Sequence, residues 1–283
     1  MSLQPELAAL VLFAAVVHAT WNALAKGSGD RLMTVAVIQG SQTVFALFFV
    51  PFVAIPAIEA WPYLIGSVVI HTGYFYFLMK AYEDGDLSHV YPLARGSAPL
   101  LVALMTSALV IETPNAAGMV GIVLVSLGIV SLAFVGNGHY PSGAKPVRLA
   151  LTTGLFISAY TLCDGLGTRT GDTPFSYIVW LFLWSGVPFC IATAFVRRKT
   201  LIVDLAKRWK WGATAGVLSA LAYSLVLYAM SQSAMAYVSA LRETSVLFAA
   251  LIGIIAMKEP LGFRRIAAAA IITAGIIVMQ VAG

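Results

Sequence analysis

The chain has 283 residues, of which 60% are hydrophobic and only 10% charged, and its mean hydropathy is +0.90. Because soluble domains carry about 25% charged residues, this composition excludes a soluble enzyme, a disordered chain and a nucleic-acid-binding protein. The net charge of +5 does not indicate DNA binding, since the basic residues lie between apolar runs, as in membrane proteins. The two cysteines, Cys163 and Cys190, lie within apolar runs, a placement that argues against a disulfide framework.

The apolar runs predict ten membrane-spanning helices. A helix needs about 20 mostly apolar residues to cross a bilayer, and runs of this length fit helices rather than barrel strands. We therefore predict an all-α polytopic membrane protein. The first run is predicted to be a retained span, because no Lys or Arg precedes it as in a signal peptide. The predicted spans, numbered 1 to 10, are 7–25, 32–54, 62–79, 87–111, 116–135, 149–168, 175–195, 211–231, 235–257 and 266–282.

Lysine and arginine are distributed unevenly among the nine connections between spans. The odd-numbered connections contain fourteen of these residues, and the even-numbered connections contain only Arg169. The positive-inside rule therefore places the odd connections in the cytoplasm and both termini outside it, in an inner-membrane orientation. The densest basic run, 197–210, is predicted to be a cytoplasmic anchor between spans 7 and 8.

The two halves of the chain resemble each other. A shift of 147 positions places Arg95 on Arg242, Glu112 on Glu259 and Gly128 on Gly275. Matches between charged residues carry weight here, because charges are rare in this sequence. We predict a first five-helix repeat over 1–136, a Gly/Pro-rich linker over 137–147 and a second repeat over 148–283. Since five is odd, the second repeat would be inverted in the membrane, a common plan for secondary transporters.

Four segments carry a family resemblance. Glu112-Thr113-Pro114 and Lys258-Glu259-Pro260 each place an acidic residue between the last two spans of a half, and the segments 18–26 and 159–165 lie in spans 1 and 6. With these residues the chain resembles the drug/metabolite transporter superfamily, in its ten-helix EamA-type branch. The resemblance covers the whole chain. It implies a carrier of small metabolites, often amino acids, and leaves the cargo open.

Four ionisable residues fall inside predicted spans: Arg95, Asp164, Arg242 and Glu243. A charge in a span costs several kcal/mol unless it is paired or hydrated, so each is a functional candidate. Their balanced charges predict crossed pairs, for example Arg95 with Glu243 and Arg242 with Asp164. The arginines are either hooks for a carboxylate or phosphate or ties between helices. Glu243 and Asp164 are either permanent ion-pair partners or sites that bind and release a coupling proton.

Polar and aromatic residues complete the predicted substrate site. His18, Trp21 and Asn22 share one face of span 1, since residues three and four apart are neighbours on a helix. Such a face either lines a cavity or forms interhelical hydrogen bonds. Tyr91 lies four residues before Arg95 on the same face, and Tyr74 belongs to an aromatic run in span 3. Each tyrosine is a candidate substrate contact or an ordinary packing residue.

These observations predict a secondary transporter that moves a small polar metabolite, such as an amino acid or another carboxylate, by alternating access. The alternative is a membrane-embedded enzyme that acts on a lipid or peptide, but no nucleophile has plausible histidine spacing. No ATP-binding loop and no metal-ligand spacing occur, so neither a cofactor nor a metal is predicted. The expected partners are the solute, the bilayer and protons as a candidate coupling ion. A second copy of the chain, in a homodimer, is a further candidate partner.

Overall fold

The computed structural model describes residues 3–25, 30–85, 87–110, 112–134, 144–171, 173–257 and 262–281. Within these ranges the secondary structure consists of twelve α-helices and three short 3-10 helices, with no β-strand. The helices are α1 (Pro5–Ala25), α2 (Arg31–Phe49), α3 (Trp61–Asp84), α4 (Leu87–Leu109), α5 (Ala116–Ser131), α6 (Ala144–Gly167), α7 (Pro174–Ser185), α8 (Val187–Val196), α9 (Leu201–Gln232), α10 (Met235–Arg242), α11 (Ser245–Met257) and α12 (Phe263–Val281).

The helices form ten segments that are long and apolar enough to cross a membrane, as predicted. Helices α7 and α8 together make the seventh segment, Pro174–Val196, and α10 with α11 makes the ninth, Met235–Gly253. The all-α, ten-span prediction is therefore confirmed. Lys26 and the segment Lys258-Glu259-Pro260, on which part of the family resemblance rests, lie outside the described residues, as does 137–143 of the predicted linker.

Local sequence explains where several helices begin. The side chain of Asp30 caps α2 by accepting a hydrogen bond from Met33 N at 3.2 Å, and Asn115 caps α5 by accepting one from Gly118 N at 2.7 Å. Such caps satisfy amide groups that the first helical turn leaves unpaired. Prolines occupy the first turns of α3, α7 and α8, where the missing N–H costs nothing.

Helix α9 is longer than predicted. It begins at Leu201, ten residues before the predicted start of span 8, so Lys207, Arg208 and Lys210 lie on a helix rather than in a loop. Nothing between 201 and 210 breaks a helix, because neither Gly nor Pro occurs there. At 1.5 Å per residue the helix is roughly 48 Å long, which exceeds the hydrocarbon core of about 30 Å. Its basic first third therefore extends beyond the apolar layer.

The ninth segment is interrupted beside the buried charges, although it contains no proline. Helix α4 is continuous through Pro92 and Pro99. The pseudo-equivalent ninth segment lacks prolines, yet a turn at Glu243 and Thr244 separates α10 from α11. There Glu243 N donates to Ala240 O at 3.2 Å and Thr244 N donates to Leu241 O at 3.1 Å. These tighter three-residue hydrogen bonds break the α-helical pattern beside the buried charges.

The packing of α5 against α12 supports the predicted repeat. Gly128 lies against Ile272, and Gly275 lies against Val125, so that a Cβ atom on either glycine would collide with the opposite helix. The 147-residue shift between the halves turns one contact into the other: Gly128 corresponds to Gly275, and Ile272 corresponds to Val125. Contacts farther along join Gly121 to Met279, which makes the helices antiparallel. A twofold relation between inverted halves requires this reciprocity.

The correspondence between the two halves also relates other helix–helix contacts in the bundle. Helix α3 packs on α6 and α1 packs on α9, which pairs span 3 with span 6 and span 1 with span 8. Helix α4 packs on α6, and the counterpart contact joins α10 and α11 to α1. Each half therefore contributes helices to the packing of the other, and the space between them is lined by both.

Polar contacts define the two ends of the bundle. At one end, here called the basic end, Arg197 Nη2 contacts Asp30 Oδ2 at 2.8 Å and Lys145 Nζ contacts Asp84 Oδ2 at 3.0 Å. These contacts join the start of α2 to the end of α8, and the end of α3 to the start of α6. At the opposite end Ser176 Oγ, in the first turn of α7, donates to Ala54 O at 2.5 Å.

Candidate functional site

A cavity of about 1020 Å³ lies between the two halves. Its walls come from the parts of α1, α2, α3, α4, α11 and α12 nearest the basic end, from the middle of α6 and α9, and from the end of α7. It reaches Ala25, Tyr82 and Arg265 at the basic end. At the opposite end, the described residues of the connections that follow α4, α6 and α9 do not line the cavity. The cavity therefore approaches one end of the bundle and is closed toward the other.

Two buried arginines and one buried glutamate form a cluster in the cavity wall, here called the arginine cluster. Arg95 Nε on α4 lies 2.7 Å from Glu243 Oε2, and Arg242 Nη2 lies 3.3 Å from Glu243 Oε1. Both arginines line the cavity, whereas Glu243 lies behind them with 0% of its surface exposed. The turn after α10 places Glu243 between the two guanidinium groups. Two positive charges thus share one negative charge.

The structure corrects the predicted pairing of these charges. The pair of Arg95 with Glu243 is confirmed by the 2.7 Å contact. The pair of Arg242 with Asp164 is wrong, because Arg242 contacts Glu243, its own neighbour in sequence. Charge balance predicts how many partners are needed but not which residues are close. Asp164 is instead held by tyrosines.

The predicted face of α1 lines the cavity. His18, Trp21 and Asn22 all belong to its wall, and the rings of His18 and Trp21 meet edge to face at 5.1 Å. Asn22 Nδ2 donates to the backbone oxygen of His18 at 3.0 Å, so one amide hydrogen is used within the helix. Trp21 Nε1 is buried with no hydrogen-bond acceptor among the described residues. It is a donor that a bound solute can satisfy.

Tyrosines form the wall beside the arginine cluster. Tyr91 and Tyr74, both predicted, line the cavity, and the guanidinium carbon of Arg95 lies 5.9 Å from the centre of the Tyr91 ring. Tyr160 and Tyr223 also line it, with ring centres 6.2 Å apart. Aromatic rings beside a guanidinium stabilise its charge by a cation–π interaction. This wall offers apolar surface with hydroxyl groups at intervals.

Several polar residues of the cavity were not predicted. Gln39 and Gln42 on α2 line it, and Gln42 Nε2 donates to Ser219 Oγ on α9 at 2.9 Å. Ser245, at the start of α11, accepts a long hydrogen bond from Arg95 Nη2 at 3.5 Å. The two glutamines lie three residues apart in an apolar span, so they share one face of the helix. This polar face was the sequence signal that could have identified them as cavity residues.

Asp164 on α6 is a second buried carboxylate, with 0% of its surface exposed. Its Oδ1 accepts a hydrogen bond from Tyr177 Oη at 2.9 Å, and its Oδ2 accepts one from Tyr223 Oη at 2.6 Å. No lysine or arginine of the described part of the chain forms an ion pair with it. The carboxylate is thus surrounded by hydroxyl groups, and Tyr223 links it to the cavity.

A second arginine–glutamate contact lies at the opposite end of the bundle and is here called the outer cluster. Arg169, between α6 and α7, pairs with Glu112, between α4 and α5. Arg169 Nη2 also donates to the backbone oxygens of Met230 at 2.8 Å and Ser233 at 2.7 Å. Glu112 Oε2 accepts a hydrogen bond from Met235 N at 3.2 Å. The outer cluster joins connections of both halves where the cavity is closed.

The second half of the chain resembles a known protein family. Residues 145–281 match the model of the EamA-like transporter family. The second half of the chain is therefore similar to an EamA-like transporter domain. The finding confirms the superfamily resemblance, and the EamA-like family consists of membrane transporters of small solutes. No curated protein sequence matches the chain.

A protein of known crystal structure has the same fold. It superposes with a TM-score of 0.77 over 97% of this chain and 96% of its own, at 15% sequence identity. The fold shared with that protein extends over both halves, including residues before 145. In the described residues no group of three His, Cys, Asp or Glu side chains converges as a metal site would require.

Proposed function

We propose that this EamA-like protein is a secondary transporter for a small solute that carries a carboxylate group. The solute would bind in the 1020 Å³ cavity against Arg95 and Arg242, with Tyr91, Tyr74 and the α1 residues His18, Trp21 and Asn22 around it. A guanidinium group matches a carboxylate because it presents paired N–H donors in one plane. Amino acids are among the solutes of suitable size and chemistry.

One observation carries this proposal: two cavity-lining arginines share a single glutamate. Arg95 and Arg242 carry two positive charges, and Glu243 returns one negative charge. An unbalanced charge within a membrane span costs several kcal/mol. A bound carboxylate would remove this cost at the cavity wall, where the side chains of both arginines are accessible to a solute. Charge complementarity therefore favours an anion or the carboxylate end of a zwitterion.

Alternating access is supported by the asymmetry of the two ends. The cavity reaches the basic end, and the outer cluster joins connections from both halves at the other. For a solute to leave at that other end, the contacts of Arg169 would have to open while the basic end closes. Arg197 and Asp30 already pair at 2.8 Å while the cavity reaches the basic end, so closure of that end would need other contacts between the halves.

The proposed orientation follows the distribution of basic residues. The basic end would face the cytoplasm of a cell with an inner membrane, and both chain termini would lie outside the cytoplasm. The extended start of α9 carries Lys207 and Lys210 beyond the apolar layer, where they would meet the polar headgroups. The outer cluster would then close the extracytoplasmic side.

Uptake by proteoliposomes tests the proposed function. Purified protein is reconstituted and incubated with a mixture of radiolabelled amino acids and small carboxylic acids, with protein-free liposomes as the control. We expect labelled solute inside the vesicles, unaltered in mass, and at least a tenfold loss of uptake in Arg242→Gln. A product of altered mass would instead favour the membrane-embedded enzyme. Uptake that is unchanged in Arg242→Gln would overturn the proposed binding site.

A further inference from the structure

We propose that Asp164 is the site where a proton binds and leaves during transport, so that a proton and the solute carboxylate cross together. This inference rests on the proposed function and adds its driving ion. It follows from the different surroundings of the two buried carboxylates, Glu243 and Asp164, and from the connection of only one of them to the cavity through a hydroxyl group.

Glu243 is held as an anion by its neighbours. Each of its carboxylate oxygens faces a guanidinium group, at 2.7 Å from Arg95 and 3.3 Å from Arg242. A proton on Glu243 would leave two buried positive charges without any partner, at a cost of several kcal/mol. Glu243 is therefore a fixed ion-pair partner of the two arginines.

Asp164 has the opposite surroundings. Its direct partners are the hydroxyl groups of Tyr177 on α7 and Tyr223 on α9, which donate at 2.9 and 2.6 Å. Ser67 and His71 face it from α3, and Tyr160 and Cys163 are its titratable neighbours on α6. Hydroxyl groups can donate to the anion or accept from the acid, because a hydroxyl both donates and accepts. Asp164 can therefore be accommodated in either protonation state.

A path for the proton leads from the cavity to Asp164. Tyr223 lines the cavity and donates its hydroxyl hydrogen to Asp164 Oδ2 at 2.6 Å. When this hydrogen passes to the carboxylate, the phenol oxygen takes a replacement proton from the cavity, so that Tyr223 ends unchanged and Asp164 is neutral. His71 also lines the cavity, with its Nδ1 3.0 Å from Ser67 Oγ and its ring stacked on Tyr160 at 3.9 Å.

Charge balance then couples the proton to the solute. With Asp164 ionised, Arg95, Arg242, Glu243 and Asp164 sum to zero. Protonation of Asp164 leaves a charge of +1, and a bound carboxylate restores neutrality. The proton and the carboxylate therefore each favour binding of the other, and such coupling is reciprocal. A monocarboxylate that crosses with a proton carries no net charge, so its transport would respond to a pH gradient and not to membrane voltage, whereas a zwitterionic amino acid with a proton carries +1 and would respond to both.

Infrared difference spectroscopy tests the protonation step without a solute. Spectra of the protein in liposomes are recorded between about pH 6 and pH 9, where ordinary exposed carboxylates stay ionised. We expect a protonated-carboxyl stretch that shifts in D₂O and gains intensity toward acidic pH. It should be absent in Asp164→Asn, present in the control Asp204→Asn, which changes a half-buried aspartate in the first turn of α9, and shifted in frequency in Tyr223→Phe. A missing band, a band that does not titrate, or a band that persists in Asp164→Asn would overturn the proposal.

Transport provides an independent test with the amino-acid and carboxylic-acid mixture. In wild-type proteoliposomes an acidic exterior should drive accumulation of labelled solute above the external level. Asp164→Asn should lose this accumulation while still exchanging internal for external solute, because the arginine cluster is intact. Accumulation by Asp164→Asn equal to that of wild type would contradict proton coupling. If no solute of the mixture is transported, the proposed cargo fails, and the infrared result still decides whether Asp164 binds a proton.

Discussion

The arginine cluster and the outer cluster use the same residue types for different purposes. In the arginine cluster, two guanidinium groups share one carboxylate, and both line the cavity. In the outer cluster, a single guanidinium has a carboxylate and two backbone oxygens as acceptors. The arginine cluster has more positive charge than its one glutamate balances. In the outer cluster, the guanidinium group of Arg169 has a carboxylate and two carbonyl oxygens as hydrogen-bond acceptors. An arginine with surplus charge can bind a solute, whereas one with complete contacts holds parts of the protein together.

Loss of the central carboxylate should have the largest effect on stability. Glu243→Gln leaves two buried arginines unpaired and should lower the free energy of unfolding by about 3–5 kcal/mol. Glu112→Gln in the outer cluster should cost only about 1 kcal/mol, because its side chain is 24% exposed. Thermal unfolding of the detergent-solubilised variants measures both. Equal shifts in Tm for the two variants would remove the distinction between the clusters.

Loss of one arginine should affect binding more than folding. Arg242→Gln leaves Glu243 paired with Arg95 and should lower the affinity for a carboxylate roughly 10- to 100-fold, as expected for a charged hydrogen bond of about 1.5–3 kcal/mol. Arg198→Gln, which changes an arginine at the basic end beside Phe195, is the matched control and should keep the affinity. Equilibrium binding of a solute found by uptake measures the difference. An unchanged affinity in Arg242→Gln would place the solute elsewhere.

Loss of the outer arginine should open the closed end. In a background with Cys163→Ser and Cys190→Ser, Val226→Cys provides a buried cavity residue for labelling by a membrane-impermeant thiol reagent. Arg169→Ala should increase its labelling from the side of the outer cluster about fivefold, for contacts worth about 1 kcal/mol. Lys145→Ala, which removes an exposed contact at the basic end, should leave labelling unchanged. The closure would lie elsewhere if Arg169→Ala labelled like the parent.

The ring of Tyr91 should contribute the smallest effect. Tyr91→Leu removes the aromatic face 5.9 Å from the Arg95 guanidinium and should weaken carboxylate binding roughly two- to fivefold, the range of a cation–π contact worth about 0.5–1 kcal/mol. Tyr91→Phe keeps the ring and should bind within a factor of about two of wild type. If Tyr91→Phe were as weak as Tyr91→Leu, the hydroxyl group and not the ring would be the contact.

The sequence predicted the fold and the buried charged residues better than the contacts between them. Ten apolar runs were sufficient to predict ten membrane-spanning helices, because a lipid environment excludes most alternatives to a helix. Rarity of charge identified Arg95, Arg242, Glu243 and Asp164, and helix periodicity identified the α1 face. The partner of Arg242 and the turn at Glu243 could not be predicted, since both depend on how close separate helices come. Arg169 drew attention only as an exception to the positive-inside rule.

A comparison of carboxylates with their amides tests the central claim most directly. The solubilised protein is heated with a panel of small carboxylates, amino acids included, and with the primary amide of each, which has nearly the same shape but no negative charge. A ligand that binds the folded state raises Tm according to its concentration and Kd. We expect some carboxylates to raise Tm and their amides to fail, with the difference lost in Arg242→Gln. Amides that stabilise the protein as well as the acids, or no stabilisation by any carboxylate, would contradict an anion-binding cavity.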